Sequence, residues 1–326
     1  RLVPAKHGRE QMPLKGKGFD RMDDEVTYTA SMDGKIEMQN DRIVVLPVHE
    51  VSGNAELAEG NIDFRGDIVI HGNVESGVNI RATGSITIDG VAEACMLEAG
   101  KDIILRGGML GGNKASVKTK GAITAKFFEF TNILCEGDLQ ADVLMDCSVI
   151  CHGQIRLTGR KGSIIGGKVQ AIRGLIATSL GNDAEKRTEI FVGAGIDVYS
   201  RLRVMEKKIE TTREELAKIE EGLEKFEILS KERGVSYTND PRRTSLLRIK
   251  IKDSAMLASD EEEVRKLRIL AESSKGACVS VIQEIYPGVI INMDELKLAL
   301  KNMATGVEFY KLPDKIGTRP CSAGVE

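Results

Sequence analysis

The string Cys147, Cys151 and His152 has residue types that could hold a metal ion. On a helix its C-x3-C-H spacing would gather soft ligands around zinc. On a strand, residues four apart lie about 13 Å from each other, beyond the reach of one ion. The repeat described below puts these residues on a strand, so no metal ligand is assigned. Cys135 and Cys151 stand 16 residues apart, each four residues before an aliphatic position of that repeat. They are expected to stack with Cα atoms about 5 Å apart, within disulfide range. The reading adopted is a pair of buried, reduced thiols that pack as small apolar groups.

Gly107–Lys114 looks like a phosphate loop, but Asn113 stands where G-x4-G-K-[ST] requires Lys. Corner glycines fit better there, and equally at Gly166-Gly167. His71 and His152 are the histidines of the repeat, and His71 has the parity of an outward position. Gly60, Gly66 and Gly72 are six residues apart, each followed two residues later by an aliphatic. This resembles a coil of the hexapeptide acyltransferases, which place a catalytic His between subunits, but the hexad register is expected to fail by Gly77, and later coils run 16 to 21 residues. A polysaccharide lyase would favour an aromatic platform for sugar. The chain has no Trp, five Tyr and eight Phe. No catalytic, cofactor-binding or metal residue is therefore assigned, and the expectation is a protein that is not an enzyme.

The elements that carry these residues follow from periodicity. Val51–Gly193 contains an internal repeat whose first aliphatic column is Ile68, Ile86, Ile103, Ile123, Leu139, Ile155 and Ile176. Its steps are 18, 17, 20, 16, 16 and 21 residues. A second column stands two residues later, a glycine-rich one two residues earlier, and a mixed one between the two apolar columns. Side chains two apart on a strand share a face. The pattern predicts β-solenoid coils whose like residues stack into ladders, none able to bury its face alone. Glycines mark the corners. The coil length does not decide handedness; a right-handed β-helix is expected.

From Arg201 to Gly276 the period changes. Leu202, Met205, Ile209, Thr212, Leu216, Ile219, Leu223 and Phe226 step by three and four, an a/d seam. A second helix from about Arg243 to Ser274 offers Leu246, Ile249, Met256, Leu257, Val264, Leu267 and Leu270 as a less regular seam. Together they predict an antiparallel helical hairpin with an arm of roughly 45 Å. Ala277–Glu326 returns to strands, with a short helix over Asp294–Met303, and is expected to pack on the solenoid end. That makes the hairpin an insertion. Arg1–Glu50 is expected to be the end of an upstream domain. The fold class is thus mainly β: a single-stranded β-solenoid with an inserted antiparallel α-helical coiled-coil hairpin. Its domains are 1–50, 51–200, 201–276 and 277–326.

Four segments carry a family resemblance: Gly60–Gly72, Gly121–Phe127, Lys161–Gly167 and Ile285–Val289. They resemble the β-solenoid of the bacterial flagellar assembly protein A family, and so does the order of solenoid, coiled-coil arm and returning strands. The resemblance covers about Asp33–Tyr310. It implies a cytoplasmic factor, placed at the cell pole, in flagellar assembly. It supplies no catalytic residue.

Charge and composition fit that expectation. The formal net charge of −3 offers no basic surplus for nucleic acid. No run of 18 apolar residues exists to cross a bilayer. Six Cys without a secretory leader read as free cytoplasmic thiols. The expectation is a scaffold or adaptor without a cofactor. It would bind a protein partner, or itself as a homo-oligomer, through the arm residues Leu202, Met205, Ile209, Leu216, Ile219, Leu223, Phe226, Val264 and Leu267. Two alternatives are a bactofilin-like polymer and the acyltransferase.

Overall fold

The computed structural model describes residues 15–24, 27–40, 42–234 and 240–322. Contacts divide the chain into two units: residues 1–151 with 157–163, and residues 152–156 with 164–326.

The first unit is a three-sided parallel coil. Its first face carries the ladder Ile68, Ile86, Ile103, Ile123 and Leu139, each in register with the next. A second face stacks Ile62, Ile80, Leu97, Val117, Ile133 and Val149. A third stacks Ala55, Val74, Ala92, Met109, Phe128 and Leu144. All but Ile62 are fully buried. From Ile62 to Ala92 these inward residues alternate between faces every sixth position. The hexad therefore does not fail by Gly77: the inward aliphatics keep it to Ala92, and glycine returns on its own six-residue grid at Gly84 and Gly90. The parallel pairing of the coil begins at Val48–Val51, against Asp67–Ile70, a little before the expected boundary. Ahead of it, Gly16–Lys17, Arg42–Leu46 and Lys35–Gln39 form a separate three-stranded sheet. Val26, which opens a weak strand-like alternation over Val26–Ala30 in the sequence, lies outside the described residues.

The second unit continues parallel pairing and then abandons it. Val169, Ile190 and Ile291 form one ladder; Leu175 pairs with Val279, and Ala177 with Val281. Ile176 does not join the core: it is half-buried, while Leu175 and Ala177 are fully buried. An apolar run Leu-Ile-Ala has no parity of its own, so hydrogen bonding sets the register. The Ile155 N–H donates to Gly174 O at 3.0 Å, which brings Leu175 beside Ile155.

The chain leaves the ladder after Thr188–Val192, runs through helices α1 (Gly195–Arg233) and α2 (Pro241–Ser273), and re-enters it as strand Cys278–Ile285. The helical hairpin is thus an insertion between two ladder strands. With 39 residues, α1 is about 58 Å long. It starts at Gly195, before the expected Arg201, and ends at Gly234 in the left-handed conformation that glycine favours. Asp240 caps α2 by accepting from Arg242 N, and Pro241 opens the helix.

The expected helix over Asp294–Met303 is a strand instead. Asp294 has φ of 52° and, with Glu295, makes a two-residue turn. Leu296–Ala299 then folds back antiparallel on Val289–Met293. Its residues alternate between half-buried and exposed, the period of a strand and not of a helix. Ala304–Lys311 and Ile316–Pro320 add two further antiparallel strands.

Candidate interaction surfaces on the arm and the coil corners

Helix pairing in the arm is set by the seam. On α1, Ile209 and Thr212 are buried, and Leu202, Met205, Leu216, Ile219, Leu223 and Phe226 are half-buried. On α2, Val264 and Leu267 are buried, while Leu246, Leu257 and Leu270 are half-buried. Ile249 and Met256 face solvent; Asp260 and Ala271 are buried on α2 instead. The sequence pattern could not show this, because a heptad drawn through apolar residues alone skips a buried aspartate. Lys208 Nζ reaches Asp260 Oδ2 at 2.7 Å, and the Asp260 side chain is only 11% exposed. A charge on an apolar seam disfavours slipped registers, which would leave it unpaired. Antiparallel order is fixed further by ion pairs between Arg213 and Glu261, Glu206 and Arg268, and Glu220 and Lys250. A groove of about 1360 Å³ runs between the helices, with Ile209 and Val264 among its lining residues and Glu210, Arg213 and Arg265 beside them.

The coil corners are built from coupled pairs of an Asx residue and a glycine. Asp67 Oδ1 accepts from Ser85 N at 2.7 Å, and Asp102 Oδ1 accepts from Ala122 N at 2.7 Å. Asn54 and Asn73 do the same for Asn73 N and Val91 N. Each acceptor occupies the space where the glycine of the next coil would carry a Cβ. That Cβ would lie 2.0 Å from Asp67 Oδ1 at Gly84, and 2.3 Å from Asn54, Asn73 and Asp102 Oδ1 at Gly72, Gly90 and Gly121. The glycine column is legible in the sequence; its Asx partner, 17 to 19 residues earlier, was the overlooked half of the signal.

The residues with chemical potential fall into this frame. Gly107 is a corner glycine over Gly90 O, and Gly111–Lys114 accompanies a register shift between strands Met109–Thr119 and Phe127–Cys135. His71 Nδ1 lies 2.9 Å from Asp89 Oδ2, one coil on, and Arg106 Nη1 lies 3.0 Å from Asp89 Oδ1. Cys147 precedes the strand Ser148–Cys151, which Cys151 ends: Cys147 Sγ donates to Phe128 O and Met145 O, and Cys151 Sγ to Gly137 O. Burial pushes the Cys147 thiol up to about 11 and the Cys95 thiol up to about 12. Cys135 differs: a hydrogen bond from Cys151 holds its thiol below the ordinary range despite burial. Among the described residues no group of three or more His, Cys, Asp or Glu could hold a metal ion. No described helix is long and apolar enough to cross a membrane.

Outward rows are charged. Asp63, Arg81, Glu98 and Lys118 alternate in sign across four successive coils, with Arg81 Nε 3.1 Å and Lys118 Nζ 3.4 Å from Glu98. Burial raises the Glu98 carboxyl, but hydrogen bonds from Lys118 and Arg81 outweigh it and hold the group below the usual range.

No curated protein and no solved structure matches the chain. The family model of the Flagellar Assembly Protein A beta solenoid domain matches residues 47–316. Those bounds run from the first strand of the parallel coil to the start of the last antiparallel strand, with the helical hairpin inside them. The chain therefore belongs to the Flagellar Assembly Protein A beta solenoid domain family.

Proposed function

We propose that this protein is a non-enzymatic scaffold for flagellar assembly and placement, acting in the cytoplasm, with the helical arm as its protein-binding element. One observation carries the reading. The ladder Val169–Ile190–Ile291 passes from one side of the insertion to the other without using any arm residue. A hairpin of two long helices that the ladder does not need is retained for contact with something else. Its seam residues Leu202 to Phe226 hold the helices together, which leaves the outer faces for a partner or a second copy. The alternating charges of the solenoid rows keep the coil soluble and offer polar, not greasy, contact.

The test is deletion of the gene in its own organism, with flagella counted and located by electron microscopy. Loss or misplacement of flagella, restored by the full chain but not by a version lacking the arm, supports the reading. Normal flagella after deletion contradict it.

A second reading has its own observation. The six-residue alternation of inward residues and the His71–Asp89 contact together suit an acyltransferase coil. Acyl-CoA turnover that is lost in His71→Ala would favour it; absence of acyl-CoA binding by calorimetry would end it. Polymerisation finds less support. The final strands are antiparallel, and the last carries Arg319 and Pro320, residues that blunt a sheet edge.

A further inference from the structure

Cys135 and Cys151 are register partners on adjacent parallel strands, one coil apart. Such strands lie about 4.8 Å apart, and Cα atoms about 4.4–6.8 Å apart accept a disulfide. Both thiols are buried, and both converge on one acceptor: Gly137 O lies 3.4 Å from Cys135 Sγ and 3.2 Å from Cys151 Sγ. Cys95 and Cys147 lack this arrangement; Cys147 stands at the far end of the strand from Cys151, and its sulfur turns to Phe128 O and Met145 O. Next to Cys135 the chain reaches the surface at Glu136 and Asp138, both exposed.

We propose that Cys135 and Cys151 are a redox-modification site, which a peroxide converts to a disulfide tying two consecutive coils together. Cys135 is the attacking sulfur, because it adjoins the corner that reaches the surface at Glu136 and Asp138. It attacks one peroxide oxygen and the O–O bond breaks. The departing hydroxide takes up the proton that Cys135 has lost and leaves as water, with Cys135 now a sulfenic acid. Cys151, giving up its proton, attacks that sulfur; the S–O bond breaks and the hydroxide leaves as a second water. Two thiols lose two electrons and two protons, and one hydrogen peroxide takes them up.

The experiment uses the full chain, treated with hydrogen peroxide under native conditions, quenched, then alkylated in denaturant. Cleavage after Glu136 separates the two cysteines, and fragment ions of the linked peptide distinguish Cys151 from Cys147, which shares its peptide. The expected result is four alkylated thiols of the six, a Cys135–Cys151 linked peptide, and recovery of all six after dithiothreitol. Cys135→Ser should keep Cys151 alkylatable. Thr119 already places a hydroxyl in this inward column, so serine is expected to fold there. Six alkylated thiols after peroxide, a link between any other pair, or oxidation of Cys135 to sulfinic acid without a link would each overturn the proposal. The wild-type map alone decides the matter if the serine variant does not fold.

Discussion

Gly84 lies over the carboxylate of Asp67. A Cβ on Gly84 would come within 2.0 Å of Asp67 Oδ1, the atom that accepts from Ser85 N. The same contact recurs at Gly72, Gly90 and Gly121, so the glycine column marks where one coil's acceptor caps the next. Gly84→Ala should destabilise the chain by about 1–3 kcal/mol, the range of an overpacked site. Gly53→Ala, which meets nothing within 4 Å, should stay within about 0.5 kcal/mol. Urea midpoints of both variants check this, and equal losses would refute the contact.

The register at residues 175–177 makes a second prediction. Leu175 faces the core and Ile176 does not. Leu175→Ala should cost about 2–5 kcal/mol, as large-to-small core changes do. Ile176→Ala should cost about 1 kcal/mol. Chemical denaturation of the pair reads the difference; the reverse order would restore the register expected from aliphatic spacing.

Buried thiols make stability depend on alkaline pH. Cys95 and Cys147 are pushed up to about 12 and about 11 by burial, against 9.0 for an ordinary thiol. Below pH 9 both the folded and unfolded chains hold these protons, and the contribution is fully present. Above it the unfolded chain loses protons that the folded chain keeps, so stability falls as pH rises. The slope approaches about 1.4 kcal/mol per pH unit for each thiol. Urea midpoints between pH 8 and 11 should drop, and the drop should shrink in the Cys95→Ala, Cys147→Ala double variant. An unchanged drop would assign the effect to other groups.

The parts of this fold that were legible were those where one residue type repeats at one position. Ile68, Ile86, Ile103 and Ile123 announce their ladder because isoleucine recurs two residues after a corner. The third face was hidden, because Ala55, Val74, Ala92, Met109 and Phe128 differ too much in size to read as one column. A ladder needs matched shape only between neighbours, so its composition can drift from Ala to Phe along the stack. On the arm, the spacing of Leu202 to Phe226 gave the seam of α1. Asp260 stayed hidden on α2, since its place depends on Lys208 of the other helix. The strand at Leu296–Ala299 was read as helix because one turn residue, Asp294, decides the direction of the chain, and aspartate serves helix starts and hairpin turns alike.

Light scattering coupled to size exclusion, over a hundredfold range of concentration, tests the assignment of the arm most directly. The samples are the full chain and a version with residues 196–275 replaced by a short Gly/Ser linker. If the outer faces of the arm bind a second copy, the full chain is a discrete dimer at every concentration and the armless chain a folded monomer. The same oligomer in both, or a mass that climbs with concentration, would contradict it.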